Sequence, residues 1–503
     1  MTCESMSSSQ AINSDISITS VGKRKARAVS PHNETLETTA LVLRDLVEDS
    51  RFFGENPARS IPSFRDPSEV IVGDELGKGE FGEVLEIVDV LVPPGDPCHL
   101  GSTVYPDDDY VAPLPPSPFI PPKSITILTS DSEEGETKED DETISVRKKA
   151  HAICDCVKDD FSSDDDDDAG CKPKEQPKSK KAVTSMASLK ARVAARVLRD
   201  GVPRYALKRL KPDACDRLDA ILDLACEARF LECTTHTNII RLRATVGEAG
   251  TASFGLVLDR LTCTLGERLL EWQQAKKKTK KNWLQQLIVK KVAPEEEMFL
   301  AERLVVALDI ARALNFLHGK KILFRDLKPD NLGFNVRNDL QVFDFGLAKE
   351  LKAKDLVEAP DRYECTGLTG SRRYMAPEVV RCEPYGFSAD VFSYSILMWE
   401  LFALETPFPN FCASKHFEHV VEKQRRPRKI NNILPAALHN TMERAWSNSP
   451  DVRPSMKAFC IQITDEINQI HERLGDAVEL AGDRTMHLTT RSLQSMGTNS
   501  DEE

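Results

Sequence analysis

Between Val92 and Tyr205 the chain runs through a stretch that cannot build a core, and whatever folds must fold around it. Ten prolines fall between Pro93 and Pro122, and residues 131 to 168 hold sixteen Asp plus Glu against five Lys plus Arg, a net of −11. Residues 172 to 199 reverse the sign, with nine Lys plus Arg against one Glu. Proline withdraws backbone donors, and adjacent blocks of opposite charge attract one another as solvated chain, so residues 93–200 are predicted to be a long disordered insertion. Nearly all of the chain's formal charge of −13 is therefore local. One piece of the insertion has a pattern of its own: "SLKARVAARVLRD" places Leu189, Val193 and Val197 at i, i+4, i+8, which predicts a short amphipathic helix packed on the neighbouring domain.

The other segments expected to stay outside a domain are the ends. Residues 1–65 are Ser-rich and lack sustained periodicity, so this arm is expected to be disordered; its "GKRKAR" reads either as a nuclear import signal or as a solvated basic patch. Residues 476–503 are expected to be the end of a helix followed by a polar, disordered tail. No run approaches the roughly 18 apolar residues of a membrane helix. Thirteen scattered cysteines with no C-x-x-C pair suggest free thiols in a reducing compartment, hence a cytoplasmic or nuclear protein. His151, Cys154, Cys156 and Cys171 lack the paired spacing of structural zinc ligands.

Outside these segments, chemistry-bearing residues occur in an ordered series. "VIVGDELGKGEFGEVLEIVDV" (70–90) is two β-like runs joined by Gly77, Gly79 and Gly82. Glycines let a backbone approach a phosphate, although G-x-G-x-x-G also marks ordinary tight hairpins. "YALKRL" (205–210) is a strand carrying Lys208, and the helix "AILDLACEARFLEC" offers Glu227 as its partner, with Glu232 as the alternative. Then come "ILFRDLKPDN" (322–331), "DFG" (344–346), "YMAPE" (374–378) and "DVRP" (451–454).

In this order the segments resemble the eukaryotic protein kinases over roughly residues 68–475. "DLKPDN" and "GSRRYMAPEV" are similar to serine/threonine kinases, most of all to the tyrosine-kinase-like group. The resemblance implies an α+β, bilobal protein kinase fold: a small β-rich lobe with one helix over 66–258, split by the insertion, and a larger, mainly helical lobe over 262–475. It implies ATP and Mg2+, protein substrates with serine or threonine acceptors, an upstream kinase, and neither nucleic acid nor a membrane segment. It assigns roles residue by residue. Gly77, Lys78, Gly79, Glu80, Phe81 and Gly82 would cover the phosphates, while Val84 and Ala206 would sandwich adenine. Lys208 and Glu227 would form the ion pair that positions the nucleotide. Leu258 stands in the gatekeeper place, and the backbones of Asp259 and Leu261 would bond adenine. Asp326 would orient the acceptor hydroxyl and Lys328 would hold the γ-phosphate, while Asn331 and Asp344 would bind magnesium. Glu378 with Arg453, and Asp390, would be scaffold. Arg325 beside Asp326 implies activation by phosphorylation of the following segment, with Thr366 and Thr369 as acceptors.

Two departures matter. Phe324 replaces the histidine of H-R-D, keeping aromatic volume against Phe345 and giving up a hydrogen bond worth about 0.5–1.5 kcal/mol. Gly333 stands where the family carries a leucine beneath adenine. They leave a second hypothesis, a pseudokinase scaffold that binds partners through its lobes and charged insertion. The intact Lys208, Asp326, Asn331 and Asp344 favour the enzyme.

Overall fold

Alternation along the first β-rich segment sets up a sheet with two buried faces. Strands β1 (Ser63–Phe64), β2 (Val70–Lys78) and β3 (Gly82–Val90) precede the insertion, and β6 (Tyr205–Leu210), β7 (Leu242–Val246) and β8 (Gly255–Asp259) follow it; β4 (Leu198–Arg199) and β5 (Val202–Pro203) form a small hairpin before β6. The sheet runs β1-β7-β8-β6-β3-β2. Antiparallel pairing of Gly82–Glu86 with Ala206–Leu210 closes the sheet across the insertion. This computed structural model describes residues 31–79, 81–91, 186–199, 201–280, 294–358, 361–430 and 433–478.

On one sheet face Ile87, Tyr205, Leu207, Ala244 and Val257 are buried with Val193 and Val197. Those two valines come from the predicted amphipathic segment, which forms helix α3 (Met186–Ala194) and the turn after it. Against the other face lies α4 (Leu218–Cys233), the helix carrying Glu227, with Leu224, Ala225, Ala228 and Leu231 in the main core.

A linker strand, β9 (Leu261–Thr264), enters the helical lobe and pairs there with β11 (Leu332–Asn335), which also pairs with β12 (Leu340–Val342). Helices α5 (Leu265–Lys280), α6 (Pro294–Gly319), α7 (Phe387–Ala403), α8 (Ala436–Ala445) and α9 (Met456–Val478) build the rest. α7 is buried from Ala389 to Ala403, as a helix apolar on every side must be. The α+β, two-lobed architecture is the one implied by the sequence. Among the described residues no helix is long and apolar enough to cross a membrane.

Two expectations require correction. The N-terminal arm is structured from Pro31 onward: α1 (Pro31–Val47) and α2 (Arg51–Glu55) are helical, and β1 joins the sheet beside β7. Val42 of α1 is buried with Leu222 and Cys226 of α4, and Phe52 and Phe53 are buried against the main core. The arm's apolar residues, such as Val42 and the Phe52–Phe53 pair, find their partners far away in the sequence. The insertion, in turn, ends earlier than residue 200, because α3 and the β4–β5 hairpin belong to the folded lobe. Residues 1–30 with the basic cluster, residues 92–185 with His151, Cys154, Cys156 and Cys171, and the tail beyond Val478 lie outside the described residues.

A buried ion pair joins the end of the activation segment to the C-terminal helices. Arg453 donates to both Glu378 oxygens, at 2.6 and 2.9 Å, with both side chains almost wholly buried. Removing one partner strands a buried charge, so Arg453→Ala is expected to cost about 3–5 kcal/mol, and replacing both residues with methionine to recover much of that. Urea unfolding of the three proteins checks it; equal midpoints for wild type and Arg453→Ala would contradict it.

Candidate active site

Strand register brings the first group of functional side chains to one sheet face. Val84 stands opposite Lys208, and Ala206 opposite Leu258. Since side chains alternate, Val84, Ala206, Lys208 and Leu258 point the same way. Lys208 Nζ lies 2.7 Å from Glu227 Oε2 and 3.0 Å from Asp344 Oδ1. Glu227 is thereby selected over Glu232, which pairs with Arg229 at 3.1 Å. Burial alone would lower the Lys208 pKa, but Asp344 and Glu227 together outweigh it and hold the ammonium charged. Lys208 is also the main cause of the depressed Asp344 pKa. Burial pushes the Glu227 carboxyl up against the pull of Lys208, and its Oε1 has no hydrogen-bond partner among the described residues.

The catalytic-loop motif folds back on its own aspartate. Asp326 Oδ2 accepts from Lys328 Nζ at 2.7 Å and from Asn331 Nδ2 at 2.9 Å, and its Oδ1 accepts from the Ser371 amide at 2.8 Å. Arg325 (φ 72°) and Asp344 (φ 66°) both take left-handed backbone, a cost tolerated where surrounding bonds fix the conformation. Asp390, in the first turn of α7, supplies those bonds to the loop. Its carboxylate accepts from the Phe324 and Arg325 amides, both at 2.9 Å, and lies 3.0 Å from His318 Nε2.

Phe324 is 1% exposed and meets Phe345 edge to face, with ring centroids 5.3 Å apart. The aromatic contact expected of this position is present. At Gly333 an added Cβ would lie 2.7 Å from Leu261 Cδ1 and 3.3 Å from Phe343 Cε1. Side chains of the linker strand and of the residue before Asp344 thus fill the space beside this glycine, and a larger residue would require repacking.

Around the glycine hairpin, Gly79 N donates to Gly82 O at 2.8 Å, closing the turn, while Lys78 pairs with Glu75 at 2.5 Å. Phe81 lies under the Arg217 guanidinium at 4.2 Å, at the start of α4. Glu80 is outside the described residues. In the linker, Asp259 binds Arg243 through its carboxylate at 2.7 and 2.8 Å and donates its amide to Arg241 O, and Leu261 pairs with Asn335.

Asp223, one turn before Glu227, escaped the sequence reading. Its spacing of four from Glu227 was the available signal. Its Oδ1 is buried without a partner among the described residues, and its Cβ lies 3.8 Å from where Gly346 would carry one. Burial, then Asp219 and Asp344, push this carboxyl up to about 8. Thr369, expected as a phosphate acceptor, is 2% exposed and donates its hydroxyl to Thr366 O at 2.8 Å. That leaves Thr366, half-buried, as the accessible one of the two.

Chemically, the arrangement sets a lysine able to meet phosphate, two amide or carboxylate oxygen donors (Asn331 and Asp344) and a restrained carboxylate (Asp326) along one surface between the lobes. The protein kinase domain family matches residues 190–475, more than half of the chain. That match begins after the glycine hairpin, which the sheet nevertheless brings beside Lys208. Among relatives, the serine/threonine-protein kinase STY17 of Arabidopsis thaliana is 35% identical over 173 residues, 34% of this chain and 28% of that protein. The serine/threonine/tyrosine-protein kinase HT1 of the same plant is 36% identical over 149 residues, 30% of this chain and 36% of that protein. The dual specificity protein kinase shkB of Dictyostelium discoideum is 37% identical over 155 residues, 30% of this chain and 22% of that protein. The chain thus spans between 22 and 36% of the length of these relatives. Family match, two-lobed fold and the grouping of Lys208, Glu227, Asp326 and Asp344 agree, and the chain belongs to the protein kinases.

Proposed function

We propose that the protein transfers the γ-phosphoryl group of ATP to serine or threonine hydroxyls of protein substrates. The observation that carries this reading is the Asp326 carboxylate, held at once by Lys328, Asn331 and the Ser371 amide and so aimed without freedom to rotate away. A hydroxyl donating to Asp326 would be oriented as nucleophile, with Lys328 beside it to take phosphate charge. Lys208, kept charged and placed by Glu227, would bind the phosphates on the nucleotide's side. Val84, Ala206 and Leu258 offer an apolar face to the base, and Leu261 with Phe343 supplies packing beside Gly333.

Asn331 and Asp344 fit magnesium, a cation that keeps several waters and takes one or two protein oxygens beside those of phosphate. Bound there, it would neutralise charge on the phosphates. The pseudokinase alternative has little support, since Phe324 retains its packing and no group that would meet phosphate, metal or hydroxyl is missing. Dual specificity, which the name of one relative states for that protein, would show as tyrosine phosphorylation in the same assays.

Three outcomes are expected. Asp326→Asn should lower phosphoryl transfer to a generic serine substrate by at least a hundredfold while nucleotide binding, followed by calorimetry, stays within a few-fold of wild type; similar turnover in both proteins would sink the assignment. Phosphorylation of the activation segment is proposed to raise activity, with Thr366 as acceptor. Thr366→Ala should then be less active than wild type, and full activity of a sample that mass spectrometry finds unmodified would refute the switch. Asp223 should set an alkaline limit. With its pKa raised to about 8 the carboxyl is neutral at pH 7, and as pH passes 8 it becomes a charge beside Asp344 that Lys208 must also balance. The rate should fall above pH 8 in the wild type and hold in Asp223→Asn; identical alkaline limbs would remove Asp223 from that role.

A further inference from the structure

The ion pair at the centre of the site depends on where helix α4 lies. Glu227 is 2% exposed with one oxygen unpartnered, and burial opposes its ionised form. Lys208 and the Phe345 amide draw that carboxylate inward while its desolvation favours movement out to water, so cover on the outer side of α4 adds to the restraint. That side is covered by the N-terminal arm, which lies outside the family match at residues 190–475.

The arm makes two kinds of contact. Against α4, Val42 packs with Leu222 and Cys226, and the rings of Phe52 and Phe53 lie 5.9 and 5.3 Å from that of Phe230. Leu222, Cys226 and Phe230 fall at successive turns of one stripe, while Asp223 and Glu227 sit beside it toward the nucleotide face. Arg59 adds hydrogen bonds to the carbonyls of Leu231 at 2.9 Å and Glu232 at 3.3 Å, closing the helix end.

The second kind of contact reaches the strand that follows the DFG segment, β13 (Lys349–Glu350), which pairs with β10 (Ile322–Leu323) just ahead of Phe324. Glu350 is 4% exposed, and its carboxylate accepts from Ser50 Oγ at 2.5 Å and from the Phe52 amide at 2.8 Å. Ser50 Oγ in turn accepts from the Phe53 amide at 2.9 Å, fixing α2. Lys352 donates to the carbonyls of Glu48 at 2.8 Å and Leu46 at 3.4 Å, at the end of α1.

One segment is thus fastened both to the helix carrying Glu227 and to the strand leading away from Asp344, the two carboxylates that share Lys208. We infer that Ser50, Phe52 and Phe53, acting with Glu350, are positioning residues that hold α4 at the distance where Glu227 meets Lys208. The inference rests on the proposed phosphoryl transfer. Without the arm's aromatic pair, Phe230 loses its cover and the inward position of α4 loses its support. A displacement of about 1 Å in a catalytic group is enough to cost about a hundredfold in rate.

The test uses the full chain, with kcat measured at saturating ATP and magnesium. Phe52→Ala/Phe53→Ala should lower kcat by roughly ten- to a hundredfold, with the KM for the protein substrate unchanged, while Phe52→Leu/Phe53→Leu should recover most of the loss. If the arm acts through Glu227, adding the double alanine change to Glu227→Gln should lower kcat no further, because the two losses share one cause. Ser50→Ala and Glu350→Gln, which remove bonds without opening a cavity, should lower kcat in the same direction and decide the matter if the aromatic variant does not fold. Full kcat in Ser50→Ala and Glu350→Gln, or losses that multiply with that of Glu227→Gln, would overturn the inference. An inactive wild type would instead overturn the phosphoryl-transfer reading itself.

Discussion

One ammonium organises the site. Lys208 meets Glu227, 19 residues on, and Asp344, 136 residues on, so a single side chain joins the sheet, its helix and the helical lobe. Burial works against its charge, and both carboxylates raise its pKa in compensation. Each is held differently. Asp344 is placed by its own left-handed backbone, and Glu227 by a helix whose two sides must both be covered, by the sheet within and by the arm without.

The second constraint is a buried carboxylate that does no chemistry. Asp390 accepts from two successive amides, Phe324 and Arg325, and sits beside His318. That arrangement gives a physical account of why phenylalanine is compatible with position 324. The loop's path is fixed through backbone amides, which every residue but proline supplies, and the side chain's remaining task is to fill space against Phe345. Arg325 can then keep its left-handed conformation with Asp326 following in register.

Legibility in the sequence followed the range of each interaction. The loop from Asp326 to Asn331 was reached through its resemblance to the family's motif, and two of the three bonds to Asp326 prove local, two and five residues apart. Helix α3 could be read because i, i+4, i+8 is a local pattern. Pairs such as Lys208 with Glu227 were reached through resemblance to a family, and geometry had to choose between Glu227 and Glu232. The arm was misread because Val42 and the Phe52–Phe53 pair find their partners on α4, far along the chain; the apolar-rich run at residues 40–47 and the two adjacent aromatics were the signs that something there is buried. Gly333 looked like a gap when taken alone, and Leu261 and Phe343, which adjoin it, come from two other segments.

The same reasoning explains how a lobe survives interruption by so long a segment. β3 and β6 pair through Gly82–Glu86 and Ala206–Leu210 whatever connects them, and the chain's return is fixed before β6 begins. Val193 and Val197 are buried on the outer sheet face, and Lys190 bonds Glu69 at 2.6 Å while lying 5.0 Å from the Phe64 ring. All of these contacts are on the face opposite Lys208. The entropy of closing a loop rises only with the logarithm of its length, by about 2 kcal/mol for a tenfold change, so a lobe with a secured re-entry point tolerates a connection of almost any length. The strand alternation that points Val84, Ala206 and Lys208 to one face and Tyr205 and Leu207 to the other keeps the re-entry contacts and the nucleotide-facing side chains on separate sides of the sheet.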